Sequence, residues 1–283
     1  AFLYFHHKFN LKGVVMKKLL QFVMASLMLS LSCAFAESIY PISREMGSGT
    51  RGAFVDIFDV KQEAGKKIDA TSKKAEVTNS TGVMITTVAN SKNAIGYISL
   101  GSLNESVKAL KIDGVAPSVA NINNKSYTIF RPFNVVTKTK TPLAEDFLSY
   151  AGSQNAVAII QKAGYIAVSK NAFSSKKPKG KLIIAGSSSV TPLMEKLKEA
   201  YEKINPNANL EILQSDSTTG VNSTIEGIAD IGMVSREVKQ SELKKGLKAQ
   251  VLALDGLAVI VHKSNKLDDI SKESVKKIFM GEV

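Results

Sequence analysis

The chain has 283 residues, of which 44% are hydrophobic and 22% are charged, as in an ordinary globular protein. This length is enough to bury a sizeable core in one or two domains. The formal net charge of +12 favours anionic ligands, but aromatic residues are not interleaved with the basic runs, which argues against nucleic acid as a partner.

The first 36 residues are predicted to be absent from the mature protein. Residues 1–15 precede Met16 and are interpreted as translated upstream sequence, so the histidine pair within them is not expected to bind a metal. Residues 16–36 combine two lysines, an apolar stretch and a final Ala-Phe-Ala, which is the pattern of a secretory signal peptide and predicts a periplasmic protein. Because these 36 residues carry four lysines and no acid, the mature net charge falls from +12 to +8.

Cys33 is the single cysteine of the chain and lies inside this signal peptide. A lipid anchor on Cys33 is not expected, because Ser30 stands where such an anchor needs a leucine. The mature chain therefore has no thiol and needs no redox partner.

Short apolar runs alternate with helical patterns along the rest of the chain. Strands are predicted at 39–43, 94–99, 127–138, 181–185, 209–214, 230–235 and 250–263, and helices at 49–58, 80–90, 142–151, 154–163, 189–204, 218–228 and 272–280. The helix at 189–204 is the clearest, since its apolar residues recur every three or four positions and form one stripe. This alternation predicts an α/β fold with open sheets covered by helices, in which ligands bind where strands end and helices begin.

Residues 169–180 stand apart from this alternation. They are polar and basic, include Pro178, and lie between the predicted strands "YIAV" and "KLIIAG", so we expect a linker between these two strands.

Three loops place small hydroxyl residues where a helix is predicted to begin. They lie at 47–50, 186–189 and 215–220. The first N–H groups of a helix have no partner inside the helix and lie at the positive end of its dipole, so such loops suit a phosphate-like anion. Each loop alone is more simply a helix cap. The three together, with Arg44 beside the first, favour an anion site.

No catalytic motif accompanies these loops. The glycines are not followed by the lysine of a nucleotide P-loop, and G-x-S-x-G is absent. The one histidine of the mature chain, His262, lies in an apolar run and is predicted to be a core or edge-strand residue. No histidine and acid cluster has zinc spacing. We therefore expect no enzyme, no catalytic residue, no cofactor and no metal.

Three segments give the chain a resemblance to a known family. The segments "KLIIAGSSSVTPLMEKLKEAY", "QSDSTTGVNSTIEGIADIGMVSRE" and "YPISREMGSGTRGAF" resemble the phosphate-binding subunit of bacterial ABC phosphate importers, and the resemblance covers nearly all of 38–283. It implies a two-lobed type II periplasmic binding protein fold with the anion between the lobes. It also implies a monomer that binds inorganic phosphate and passes it to an ABC permease with its ATPase subunit.

Matching motif to motif carries the family's ligand positions onto this chain. The phosphate-binding residues so implied are Arg44, Ser48, Gly49, Thr50, Ser188, Ser189, Ser217 and Ser235. Ser235 stands where well-studied members have an aspartate that accepts the proton of hydrogen phosphate and so rejects sulfate. Asp216 or Glu45 could substitute for that aspartate, but both are more simply interpreted as solvated loop acids.

The order of the segments departs from the family. There, "KLIIAGSSSVTP" opens the mature chain and "SREMGSGTRGAF" lies near its middle, whereas here the two are swapped. We interpret this as a circular permutation cut between Val283 and Ile39, with a fragment of a tandem duplication as the alternative. The permutation predicts one contiguous lobe at 103–255 and another built from 38–102 and 256–283.

The sequence leaves other functions open. The ligand could be another tetrahedral oxyanion, such as sulfate or molybdate. A secreted phosphate-ester hydrolase or phosphotransferase would need a nucleophile with a base or metal set, which the sequence does not offer. A binding module that only signals or adheres at the surface is a third alternative.

Overall fold

The computed structural model describes residues 39–63 and 67–282. The signal peptide, Cys33 and the upstream residues lie outside these ranges. Within them, every helix is either too short or too polar to cross a membrane.

The predicted elements are present, with ends that differ by up to three residues. The strands are β1 (Tyr40–Arg44), β2 (Lys61–Glu63), β3 (Lys67–Asp69), β4 (Glu76–Thr78), β5 (Ala94–Ser99), β6 (Val107–Ala109), β7 (Lys111–Ile112), β8 (Phe130–Thr137), β9 (Ile166–Ala167), β10 (Gly180–Ser187), β11 (Ala208–Ser215), β12 (Ile231–Val234), β13 (Lys248–His262) and β14 (Asp269–Ile270). The helices are α1 (Gly49–Ile57), α2 (Thr81–Ala89), α3 (Val119–Asn123), α4 (Pro142–Ala151), α5 (Gln154–Lys162), α6 (Thr191–Ile204), α7 (Ser217–Ile225), α8 (Gln240–Leu243) and α9 (Lys272–Met280). The elements that the sequence did not predict are short: β2–β4, β6, β7, β14, α3 and α8.

One mixed sheet runs through the described chain in the order β11-β10-β12-β8-β13-β5-β1-β4, with β6 and β9 also paired to β13. The long strand β13 joins its two parts, because it pairs with β8 as far as Gly256 and with β5 from Leu257 onward. We call β8–β12 with β13 up to Gly256 the first sheet half, and β1, β4, β5 with the remainder of β13 the second. The predicted α/β fold is confirmed.

Each sheet half has its own hydrophobic core. In the first half, α4, α5 and α6 pack on the sheet and bury residues such as Phe147 and Leu197. In the second half, α1 and α9 pack on the sheet, where the Phe54 ring stacks on Tyr97 at a centroid distance of 3.9 Å and lies 4.5 Å from Phe279. The separate cores make each half a packing unit of its own.

The packing of residues 107–129 bears on the predicted lobe boundary. Strand β6 pairs with residues 260–262, and Tyr127 is buried in the core of the second half. Residues 107–129 therefore pack with the lobe that was predicted to use both chain ends, which favours a boundary near Phe130 rather than at 103. The two-lobe division and the circular permutation stay predictions.

The predicted linker follows the surface of the first sheet half. The Ser175 hydroxyl donates to the Asp146 carboxylate at 2.6 Å, and the side-chain amide of Asn205 donates to the Pro178 carbonyl at 2.8 Å. Residues 172–179 contain no helix or strand, so these side-chain hydrogen bonds attach the segment to α4 and α6.

Candidate anion-binding site

Four helices begin at the boundary between the two sheet halves. Helix α1 starts at Gly49 and α2 at Thr81 in the second half, while α7 starts at Ser217 and α6 follows Ser189 in the first. The hydroxyl of Ser189 lies 2.7 Å from that of Thr81 and 2.8 Å from that of Thr50, so the helix starts meet directly. The positive ends of four helix dipoles therefore point to one place.

A cluster of buried hydroxyls occupies this place. Ser235, directly after β12, accepts a hydrogen bond from Ser187 at 2.9 Å, and its oxygen lies 3.3 Å from the Ser217 hydroxyl and 3.4 Å from the Thr50 hydroxyl. All four residues are less than 5% exposed. Hydroxyls both donate and accept hydrogen bonds, so the cluster can donate to the oxygens of an anion and also accept a hydrogen bond from a protonated one.

Arg44 brings a fixed positive charge to the cluster. It ends β1, is 2% exposed, and donates from Nη2 to the Ser188 hydroxyl at 3.1 Å and from Nη1 to the Thr81 hydroxyl at 3.4 Å. Its Nε and Nη2 also donate to the two carboxylate oxygens of Glu45, both at 2.7 Å. The guanidinium therefore lies between one carboxylate and the hydroxyl cluster, with its orientation set by both.

Two neighbours hold the backbone of Arg44. The Tyr97 hydroxyl accepts the Arg44 N–H at 3.1 Å and lies 2.8 Å from the Ser43 hydroxyl, and burial raises the pKa of Tyr97 to about 12, so it stays neutral. Arg51 donates to the Arg44 carbonyl at 2.8 Å and is itself paired with Asp69 at 2.7 Å. The backbone on both sides of the charge is therefore hydrogen-bonded.

Gly49 allows the two halves to approach closely. A Cβ atom added to Gly49 would lie 2.7 Å from the Ser235 oxygen and closer still to the Ser217 oxygen. Two residues earlier, the Gly47 carbonyl accepts hydrogen bonds from the N–H and the hydroxyl of Thr218, both at 3.1 Å. The loop before α1 thus touches the start of α7 across the boundary.

The structure brings the predicted site residues together. Those in contact with the cluster are Arg44, Gly49, Thr50, Ser188, Ser189, Ser217 and Ser235. Ser48 lies in the same loop, but its side chain caps α1 by accepting the Arg51 N–H at 3.2 Å. That these residues bind phosphate stays a prediction.

Sequence reasoning missed two residues at the site and gave a third, Ser187, only as part of a loop. Thr81 opens α2 within "NSTGV", which carries the same hydroxyl-before-helix signal as the three loops that were found. Ser187 is the last residue of β10 and lies in the predicted loop 186–189, but the resemblance did not name it as a ligand. Arg131 lies on strand β8 and donates to the Ser235 carbonyl at 3.1 Å, and no local sequence motif marks it.

The two acids that could replace the family's aspartate have other partners. Asp216 caps α7, accepting the N–H groups of Thr218 and Thr219 at 2.8 and 2.9 Å. Glu45 is not a solvated loop acid as predicted, because its carboxylate is paired with the buried Arg44. Among the described residues, no carboxylate is hydrogen-bonded to the Ser235 side chain.

His262 accepts the Ser264 N–H at 3.1 Å at the end of β13.

The chain is similar in sequence to known proteins. A sequence profile described as a PBP superfamily domain matches residues 34–155 and 171–283. The chain is 54% identical over 245 residues to "Phosphate-binding protein PstS 2" of Streptococcus agalactiae serotype V, an alignment that covers 85% of the chain and 84% of that protein. It is 42% identical over 250 residues to "Phosphate-binding protein PstS 2" of Streptococcus pneumoniae serotype 4, covering 87% and 86%.

A solved structure is also similar. It is the crystal structure of the phosphate-binding protein of a phosphate ABC transporter from Streptococcus pneumoniae TIGR4. The TM-score is 0.68 at 42% sequence identity, with coverage of 87% of this chain and 97% of that chain. These similarities confirm the resemblance inferred from the three sequence segments.

Proposed function

Because the chain belongs to the PBP superfamily and, within it, to the PstS phosphate-binding proteins, we propose that it binds inorganic phosphate and delivers it to an ABC permease for import. The observation that carries the proposal is the buried Arg44 donating to hydroxyls from both sheet halves, Ser188 and Thr81. A tetrahedral oxyanion needs donors from several directions and partial neutralisation of its charge, and this cluster offers both.

Each group has a distinct part in this proposal. Arg44 donates charge-assisted hydrogen bonds to the anion, and the hydroxyls of Thr50, Ser189 and Ser235 donate the others. The first N–H groups of the converging helices supply further donors without adding net charge. Because a hydroxyl also accepts hydrogen bonds, the Ser235 oxygen can accept one from the P–OH group of hydrogen phosphate.

The two sheet halves close over the anion in this proposal. The halves have separate cores and are joined along β13, so a change at the junction near Gly256 would move one against the other. The lobes would then be 39–129 with 257–282, and 130–256. The eight predicted residues come from both lobes, so closure completes the site.

Secretion and partners are also part of the proposal. The predicted signal peptide at 16–36 would direct the chain to the periplasm, where a monomer would meet the permease that works with the ATPase subunit. The intact mass of the secreted product tests cleavage after Ala36, and an unprocessed mass would reject it.

Titration calorimetry of the chain from Glu37 with phosphate is the direct test. We expect heat with saturation at one phosphate per chain, and a folded sample that gives no heat would reject the proposal. Competition by sulfate and molybdate in the same cell separates the oxyanions. If either one binds more tightly than phosphate, that anion replaces phosphate as the proposed ligand. Position 235 carries a serine and not a carboxylate, so nothing there would repel a fully deprotonated anion.

The enzyme alternative has its own assay. A chromogenic phosphate ester with added Mg²⁺ and Zn²⁺ should give no turnover above buffer, because the cluster has hydroxyls without a general base. Turnover that disappears in Arg44→Ala would assign the site to a hydrolase instead.

A further inference from the structure

Arg131 lies behind the hydroxyl cluster without being part of it. Its Nη1 donates to the Ser235 carbonyl at 3.1 Å, so it contacts the backbone of a residue whose side chain is in the cluster. Three residues along β8, the Asn134 amide donates to the Arg236 carbonyl at 2.8 Å. Two side chains of one strand therefore hold the turn that presents Ser235.

Asp255 sets the orientation of this guanidinium. It lies directly opposite Arg131 in the pairing of β8 with β13, and its Oδ2 accepts from Nε at 3.2 Å and from Nη2 at 3.0 Å. Its Oδ1 accepts the Ser99 hydroxyl at 2.9 Å. Ser99 ends β5 and pairs with Leu257, so Asp255 lies where β13 changes its partner from the first sheet half to the second.

The charges around the pair are few and buried. Asp255 is 0% and Arg131 2% exposed, and burial raises the pKa of the Asp255 carboxyl to about 6 and lowers the pKa of the Arg131 guanidinium. The other groups that face the carboxyl are the Ser99 hydroxyl and the Gly101 N–H, and the Tyr165 phenol, whose pKa burial raises, is also close enough for the carboxylate to raise that pKa further. At neutral pH the carboxyl is therefore ionised and paired.

Stability alone does not account for such a pair. Removing two charges from water is costly, and replacing a buried ion pair by apolar residues of similar size is often neutral or stabilising. A pair that contributes little to stability but aims one remaining donor at Ser235 has the geometry of a positioning device.

Repulsion between Arg44 and Arg131 also favours a role of Arg131 in anion binding. Arg44 contacts the cluster at Ser188 and Arg131 contacts it at Ser235, and repulsion from Arg44 further lowers the pKa of Arg131 after burial. An anion in the cluster would be attracted by both guanidinium groups and would relieve their repulsion.

We infer that Arg131 is a positioning residue for anion binding: held by Asp255 at the junction of the sheet halves, it fixes Ser235 and presents the positive end of the ion pair to the cluster. This inference rests on the proposed function. It predicts that phosphate affinity depends on the pair even when the stability of the fold does not.

The test replaces both charges at once. The double variant Arg131→Met/Asp255→Leu keeps the volume and removes the cost of burying two ions, so we expect its melting temperature to stay near that of the unaltered protein. We expect its phosphate Kd, measured by calorimetry, to rise by about tenfold or more, the loss of one hydrogen bond from a charged group. Arg131→Lys keeps the charge and should recover part of the affinity that Arg131→Met loses.

Asp146→Asn is the matched control. Asp146 is also buried and hydrogen-bonded in the first sheet half, to Ser175 and Tyr201, away from the cluster. We expect Asp146→Asn to lower the melting temperature with an unchanged Kd, which separates affinity from stability.

The outcomes are distinct. A double variant that folds and binds phosphate as tightly as the unaltered protein overturns this inference and leaves the proposed function standing. Equal phosphate affinities of Arg131→Lys and Arg131→Met also overturn it, because the positive charge at position 131 would then have no effect on binding. Absence of phosphate binding by the unaltered protein overturns the proposed function and this inference with it.

Discussion

The change Gly49→Ala tests whether the two sheet halves must touch for the anion to bind. The added Cβ would lie 2.7 Å from the Ser235 oxygen and closer to the Ser217 oxygen, whereas non-bonded heavy atoms normally approach to about 3.5 Å. Both serine hydroxyls are buried and hydrogen-bonded, so turning them away would break those bonds. Moving the halves apart is the remaining way to relieve the contact.

The fold itself should tolerate this substitution. Gly49 is the first residue of α1, its φ is not in the left-handed region, and alanine favours a helix over glycine. Overpacking a close contact costs about 1–3 kcal/mol, and here that cost falls on the closed arrangement. We therefore expect phosphate binding to weaken by about 5- to 150-fold, with little loss of stability.

Calorimetry with phosphate and a urea titration of the same samples measure both quantities. Gly82→Ala is the matched control, because Gly82 is also near the start of a helix in the second half and its added Cβ meets nothing within 4 Å. It should bind phosphate normally and be at least as stable. If Gly49→Ala binds as tightly as Gly82→Ala, the contact across the boundary is not needed for binding and the reasoning is refuted.

Three further predictions concern the charge and its supports. Arg44→Ala should weaken phosphate binding by about 1.5–3 kcal/mol, the range for hydrogen bonds to charged groups, and an unchanged calorimetric Kd would contradict the role of Arg44. Tyr97→Phe keeps the ring but removes the hydroxyl between Ser43 and the Arg44 N–H, and should lower the free energy of unfolding in urea by about 1–2 kcal/mol. The pKa of Asp255 in the folded protein, about 6, lies above its ordinary value of 3.8, so its proton is bound more tightly by the folded state and its contribution to the free energy of unfolding falls as pH rises from about 4 to 6. Compared with Asp255→Asn, the unaltered protein should therefore lose relative stability over this range in urea titrations, and a gain would contradict the assignment.

Much of the site could be predicted because its signals are local. Hydroxyl residues before an apolar helical pattern mark a helix start whatever the rest of the fold, and this found the loops that contain Thr50, Ser189 and Ser217. The same signal at Thr81 was present but was not weighed as a binding loop. The short strands β4 and β6 were missed because three residues carry too little periodicity, and their pairing with β1 and β13, which are distant in the chain, decides their conformation.

The partners of the charged residues could not be predicted in the same way. Glu45 is adjacent to Arg44 in the chain, yet only the burial of Arg44 at the end of β1 makes that carboxylate its partner rather than a solvated acid. Arg131 and Asp255 are 124 residues apart and face each other through the register of β8 and β13.

The sequence by itself determined the alternation of helices and strands, the hydroxyl-rich helix starts and the resemblance to phosphate-binding proteins, because these depend on neighbouring residues. The tertiary structure alone decided that four helix starts meet, that Gly49 touches Ser217 and Ser235, and that a buried ion pair lies behind them. The physical reason is that such contacts join residues far apart in the chain, whose distances depend on strand register and core packing rather than on local conformational preference.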